Sequence, residues 1–138
     1  MSRQIDNDTT VIPVKLNVLI IDDSGFSRRM LRQILENGGY EVDEATGGFE
    51  ALERYSLKRA DVVLLDIIMD GMSGLEVLAR LRELDRGARV LVATADTQTA
   101  TRQEAEAAGA MGMIRKPFDK EQVLGAIQAV VAGGVAWN

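Results

Sequence analysis

The sequence predicts an α/β fold in which five strands alternate with five helices around one mainly parallel sheet. Three observations predict it. Leu16–Ile21, Val62–Leu65 and Val90–Ala93 are short, nearly continuous aliphatic runs, the pattern of strands buried on both faces. Between them lie segments with apolar residues at spacings of three and four, the pattern of amphipathic helices. Strict alternation of the two at this spacing implies right-handed βαβ crossovers, which make neighbouring strands parallel. The 138 residues suffice for one domain. A chain of that size buries roughly two-thirds of its unfolded surface.

Residues 1–14 carry no periodicity and are expected to form a flexible leader, with the domain over 15–133 and a tail over 134–138. Leu16–Ile21 is the first strand and runs into Asp22-Asp23. Ser24 is a plausible N-cap for the helix that follows. Phe26, Met30, Leu31, Ile34 and Leu35 form its apolar face. Arg28, Arg29 and Arg32 lie off that face and read as solvated, with a docking surface as the functional alternative. Asn37-Gly38-Gly39 stops the helix through a left-handed turn.

Tyr40–Ala45 is short and polar, the composition of an edge strand. The second helix follows Gly47-Gly48, with Phe49 and Leu52 inward. Asp61 to Asp66 is the third strand, although a short apolar run can also belong to a buried helix. Gly71 and Gly74 favour a strand ending in a loop. Ser73 caps the third helix, with Glu76 placed for a capping box and Leu75, Leu78 and Leu81 inward. Val90–Thr94 is the fourth strand. The helix from Gln98 to Ala108 has only alanines to bury. Ala110–Arg115 is the fifth strand and Lys116-Pro117 a break. Asp119 caps the last helix, which turns Val123, Ile127, Val130 and Val131 inward. Gly133-Gly134 ends it, and Trp137 is expected to lie on this last helix.

Composition narrows the chemistry. The chain has no Cys and no His, so thiolate chemistry, His general bases, His metal ligands and phosphohistidine carriage are excluded. The net charge of −5 argues against a nucleic-acid partner, because no basic face is available to displace phosphate counterions. No apolar run approaches the roughly 18 residues of a membrane span, and the N-terminus lacks a signal peptide's apolar core. A cytoplasmic protein is the resulting expectation.

Asp22, Asp23, Asp66, Thr94 and Lys116 all stand at carboxyl ends of predicted strands, where open α/β sheets bind ligands. Taken alone, Asp66 could be a loop acid or a helix cap. If the first, third, fourth and fifth strands are neighbours, the five residues share one pocket. Three carboxylates there repel one another unless a cation intervenes. An all-oxygen donor set suits Mg²⁺ or Mn²⁺. A cation, a lysine and a hydroxyl around one carboxylate make a cradle for a phosphoryl group.

Four motifs stand in order: Asp22-Asp23 after the first strand, the glycine loop DIIMDGMSG from Asp66 to Gly74, Thr94-Ala95, and Lys116-Pro117-Phe118. In this order and spacing the chain resembles the receiver domain of bacterial two-component response regulators, over about residues 15–132. The resemblance implies a flavodoxin-like three-layer sandwich with strand order 2-1-3-4-5. It implies that Asp66 accepts a phosphoryl group from a phosphohistidine. Asp23, Asp66 and the Ile68 carbonyl would then ligate Mg²⁺, with Asp22 acting largely through water. Lys116 would pair with Asp66 or the phosphoryl group, Thr94 would move towards it, and Ala95 would keep the entrance open. A sensor histidine kinase or phosphotransfer protein is the implied donor, and a downstream protein the reader. A phosphorylation-dependent dimer is a further implied partner. A cis Lys116–Pro117 peptide is also expected, since X-Pro bonds adopt cis at modest cost.

Two positions depart from the family pattern. Asp70 replaces the usual proline four residues after the acceptor, and Met113 replaces the usual aromatic three residues before the lysine. A stand-alone switch is the leading reading, with a phosphorelay carrier or an unphosphorylated docking module as alternatives. A metal-dependent hydrolase is disfavoured because no D-x-D follows the first strand, and a P-loop nucleotidase is excluded by the absence of G-x-x-x-x-G-K.

Overall fold

The computed structural model describes residues 3–5 and 11–137. Part of the expected leader is ordered as strands: β1 (Arg3–Ile5) and β2 (Val11–Pro13) pair antiparallel. This corrects the expectation of an unstructured leader. The reason is a partner in sequence proximity, which periodicity within either three-residue piece could not reveal. Of the rest of the leader, residues 1, 2 and 6–10 lie outside the described residues, and Val14 is exposed.

The main sheet contains β3 (Asn17–Ile21), β4 (Glu41–Ala45), β5 (Val62–Leu65), β6 (Val90–Thr94) and β7 (Gly112–Arg115). Its order is β4-β3-β5-β6-β7, with every pair parallel. Counting only these five, the order is 2-1-3-4-5, the flavodoxin-like arrangement. The helices are α1 (Gly25–Asn37), α2 (Gly48–Leu57), α3 (Gly74–Leu84), α4 (Thr99–Ala107) and α5 (Lys120–Val131).

Successive strand residues point to opposite faces, and this divides the core in two. Leu19, Ile21, Val63, Leu65, Val90 and Val92 meet Ala51 and Tyr55 of α2, Val77, Leu78 and Leu81 of α3, and Ala105 of α4. Val18, Ile20, Val62, Leu64, Leu91 and Ile114 meet Leu31 and Leu35 of α1 and Val123, Ile127 and Val130 of α5. The result is a three-layer sandwich. Each fully buried leucine or isoleucine contributes about 1.5–3 kcal/mol. The helix α4 buries Ala105 alone, so it is the least firmly held of the five.

The expected inward residues Leu31, Leu35, Ile34 and Leu52 face the core, but the two phenylalanines do not. Phe26 is 68% exposed and Phe49 79% exposed. The buried stripe of α1 runs Ser27, Leu31, Leu35, and that of α2 runs Gly48, Ala51, Tyr55. The first is an i, i+4 line through the expected Leu31 and Leu35, and the second runs at spacings of three and four, with the expected Leu52 partly buried beside it. Both phenylalanines lie in first turns, one position away from the buried Ser27 and Gly48, and so about 100° around the helix from the inward face.

Ser24 Oγ accepts from Ser27 N, and Ser73 Oγ from Glu76 N, so both serine caps form. Asp119 occupies the N-cap position of α5 but makes no side-chain cap hydrogen bond. The left-handed residue after α1 is Gly39, at φ +91. The Lys116–Pro117 peptide is cis. Trp137 does not lie on α5. The tail crosses the outer edge of β7, and the ring packs against α4.

Candidate functional site

The parallel register sets the ends of β3 and β5 level, Ile21 with Leu65, and carries β6 two residues past them to Thr94. Asp66 N donates to Ile21 O (2.9 Å) and Lys116 N to Thr94 O (3.1 Å), so each loop is fixed to its neighbour where it leaves the sheet. Asp66 follows β5 and is 4% exposed. Its Oδ1 accepts from Ile68 N at 3.0 Å, and its Oδ2 from Lys116 Nζ at 2.7 Å. Lys116 Nζ also stands 2.9 Å from Asp22 Oδ2. The lysine therefore bridges two buried acids on adjacent strands.

Asp22 and Asp23 read as a pair but take different positions. Asp22 is 2% exposed, and its Oδ1 accepts from Ser24 N at 2.8 Å. Asp23 is exposed, and its Oδ2 accepts from Asp70 N at 3.0 Å. Consecutive residues leaving a strand face opposite ways, which separates them. Burial pushes the Asp22 carboxyl above its usual range, against the pull of the Ser24 amide and Lys116. Burial would depress the Lys116 ammonium, but the hydrogen bond to Asp66 and the nearby Asp22 carboxylate together outweigh it and raise its pKa.

Thr94 is fully buried at the end of β6, and its Oγ1 accepts from Asp96 N at 3.2 Å. Its own proton stays available to donate. Ala95 and Ile68 are exposed at the rim. Phe26, Met30, Ala95, Pro117 and Phe118 line a mostly apolar groove of about 350 Å³ beside Lys116. The structure thus gathers Asp22, Asp66 and Lys116 tightly, sets Thr94 behind them and leaves Asp23 at the mouth.

Among the described residues, no three acidic side chains stand close enough to cage an ion. The donor set still suits a hard divalent cation. All candidate ligands are oxygens, and the buried Asp22 Oδ2 has the Lys116 ammonium 2.9 Å away as its one neighbouring donor among the described residues. A second cation would complete the neutralisation of Asp22, Asp23 and Asp66 that Lys116 begins.

Sequence reasoning missed two supports. Arg28 does not face solvent. Its side chain is 18% exposed, with Nε 2.9 Å from Glu44 Oε1 and Nη1 donating to the Asp22 carbonyl at 2.7 Å. Arg32 also reaches Glu44. Burial alone would raise the Glu44 carboxyl, yet the two guanidiniums hold it below its usual range. Arg28 and Arg32 are four apart on one helix, the available sequence signal, but the acid they share lies on β4. The other support is Asp96, which accepts from Gln98 N (3.1 Å) and Thr101 Oγ1 (2.8 Å) and ties the first turn of α4 to Thr94.

Known proteins are similar to this chain in sequence and in fold. Residues 18–128 match the family model for the response regulator receiver domain. The chain is 41% identical over 114 residues to the chemotaxis protein CheY of Halobacterium salinarum, covering 83% of this chain and 95% of that protein. It is 34% identical over 111 residues to the sporulation initiation phosphotransferase F of Bacillus subtilis, covering 80% and 90% respectively. Among solved structures, the chemotaxis protein CheY4 of Vibrio cholerae superposes with a TM-score of 0.80 at 35% identity, covering 83% of this chain and 98% of that one. A chain of the CheX–CheY–BeF3–Mg complex of Borrelia burgdorferi gives 0.80 at 36%, covering 83% and 88%. With these acids at the strand ends of this fold, and with this extent of similarity, the chain belongs to the response regulator receiver domain family.

Proposed function

We propose that the unit spanning residues 15–133 is a phosphorylatable switch with Asp66 as acceptor. The observation that carries this is the buried Asp66 carboxylate, held by the Ile68 amide on one oxygen and Lys116 on the other. In the reaction, an Asp66 oxygen forms a bond to phosphorus as the P–N bond to a donor phosphohistidine breaks. The electron pair of that bond leaves on the imidazole, and the acyl phosphate remains on Asp66. Lys116 offsets charge on the acceptor and then on the phosphoryl oxygens. Thr94 donates its hydroxyl proton to one of those oxygens. Asp23, Asp66 and the Ile68 carbonyl, with Asp22 behind them, would hold Mg²⁺ (or Mn²⁺). The ion supplies positive charge where phosphoryl oxygens gather.

The donor is a sensor histidine kinase or a phosphotransfer protein, which fits a cytoplasmic location. The apolar groove beside Lys116, with exposed Phe26 at its edge, suits a docking helix there. The reader is a downstream protein, or a second copy in a dimer, that recognises the face formed by α4, β7 and α5. The protein promotes its own phosphorylation and dephosphorylation and turns over no external substrate. Its similarity to a sporulation phosphotransferase favours relay to a further histidine as the second reading.

The test is intact mass after acetyl phosphate and Mg²⁺. Wild type should gain one phosphate and Asp66→Asn none. An equal adduct on the variant, or no adduct on wild type, overturns the assignment.

A further inference from the structure

The outer edge of β7 would be an open row of backbone groups, a template for unwanted pairing. The chain covers it with its own tail. After α5, Gly133 turns the backbone at φ +94, and Gly134 N donates to Ala129 O at 2.9 Å. Ala136 N then donates to Met111 O (2.8 Å), and Met113 N to Ala136 O (3.2 Å), forming a parallel bridge between Ala136 and Gly112. Gly112 is what permits the approach, because a Cβ there would fall 2.7 Å from the Ala136 carbonyl carbon and 2.9 Å from its Cβ.

The last described residue joins this strap to a different element. Trp137 is half-buried against the core face that includes Ala105 and Ala108. The Arg102 guanidinium of α4 lies 5.5 Å from its ring centroid, within cation–π range. The tail is thus fixed by backbone to β7 and by side chain to α4. Thr101, the residue before Arg102, bonds to Asp96, whose amide bonds to Thr94. A contiguous series of contacts runs from the acceptor pocket through the first turn of α4 to the ring.

We propose that Gly134–Trp137 is a self-docked strap that holds α4 in its present position, and that occupancy of the Asp66 site loosens it. The proposal rests on the phosphorylation reading above. Drawing the Thr94 hydroxyl towards a phosphoryl oxygen pulls on Asp96 and hence on α4, a helix anchored by a single buried alanine. The strap cannot follow, because its backbone is bonded to a strand of the sheet. The ring and Arg102 must then separate. By reciprocity, removing the ring favours the occupied state.

Trp137 is the only tryptophan in the chain, so its emission reports the strap directly. Beryllofluoride with Mg²⁺ should shift that emission to longer wavelength in wild type and leave it unchanged in Asp66→Asn. Calorimetric titration should show beryllofluoride binding about five-fold or more tighter in Trp137→Ala and Arg102→Ala, and nearer wild type in Trp137→Phe, which keeps a ring. An acetyl-phosphate adduct on Asp66 with unchanged emission and equal affinity in all variants overturns the strap alone. Absence of the adduct overturns the phosphorylation reading and the strap with it.

Discussion

Replacing Gly74 with alanine should disturb Asp66, the proposed acceptor, without touching any side chain assigned to the chemistry. Gly74 begins α3 and sits against the backbone that carries Asp66. A Cβ at this position would lie 2.5 Å from Ile67 Cα and 2.9 Å from the Asp66 carbonyl carbon, and closest of all to the Asp66 carbonyl oxygen. Non-bonded carbons prefer about 3.5–4 Å, so either the helix start or the acceptor backbone must move by roughly 1 Å. Every clashing atom is backbone, and none can swing aside as a side-chain tip could. Overpacking of this kind costs about 1–3 kcal/mol. At roughly 4 °C per kcal/mol for a domain of this size, the melting temperature should fall by about 4–12 °C. A 1 Å misplacement of a reacting group costs on the order of 100-fold in rate, so the acetyl-phosphate reaction should slow by about 10- to 100-fold. The assay pairs thermal melting with the rate of adduct formation by mass. Gly25→Ala is the control, since its Cβ would meet only the Arg28 side-chain tip at 3.6 Å. If Gly74→Ala melts and reacts as wild type does, the close approach of α3 to the acceptor backbone is not what positions Asp66.

Three further outcomes follow from particular contacts. Tyr55 Oη donates to Asp85 Oδ2 at 2.7 Å, and this bond, with the Gly87 amide, holds the Asp85 carboxyl below its ordinary value of 3.8. Stability from a depressed carboxyl is present above that ordinary value and is lost as pH falls through the folded one. Tyr55→Phe should therefore cost about 1–2 kcal/mol near neutrality, and its urea midpoint should converge with wild type in acid; a pH-independent gap would contradict this. Arg28→Ala should destabilise by about 1–2 kcal/mol, since it frees both Glu44 and the Asp22 carbonyl. It should also weaken Mg²⁺ binding by calorimetry, with Arg28→Lys partly restoring both, whereas unchanged binding would show that the brace does not position the acidic loop. Hydrogen exchange with and without beryllofluoride should change most within residues 94–113, where α4 buries only Ala105. A change centred on α1 and α2 would place the moving element elsewhere.

The five strands of the main sheet, their order along the chain and the polar residues at their ends were legible in the sequence because each is a local signal. A run such as Val62–Leu65 followed by an acid needs no partner to be recognised. The serine caps of α1 and α3 were legible for the same reason, since the N–H they satisfy lies three residues away. The strand order came from the resemblance and was then met in the structure.

What the sequence left open depends on contacts between distant segments. Phe26 and Phe49 satisfy a helical period, yet which residues turn inward is set by how the helix packs on the sheet. The acid for Arg28 and Arg32 comes from β4, and the arginine for Trp137 from α4. Asp22 and Asp23 are adjacent letters, but only the three-dimensional end of β3 buries one against Lys116 and leaves the other at the mouth. Local periodicity determined the elements and the inventory of the site. Tertiary packing decided which side chains lose water and which charges meet.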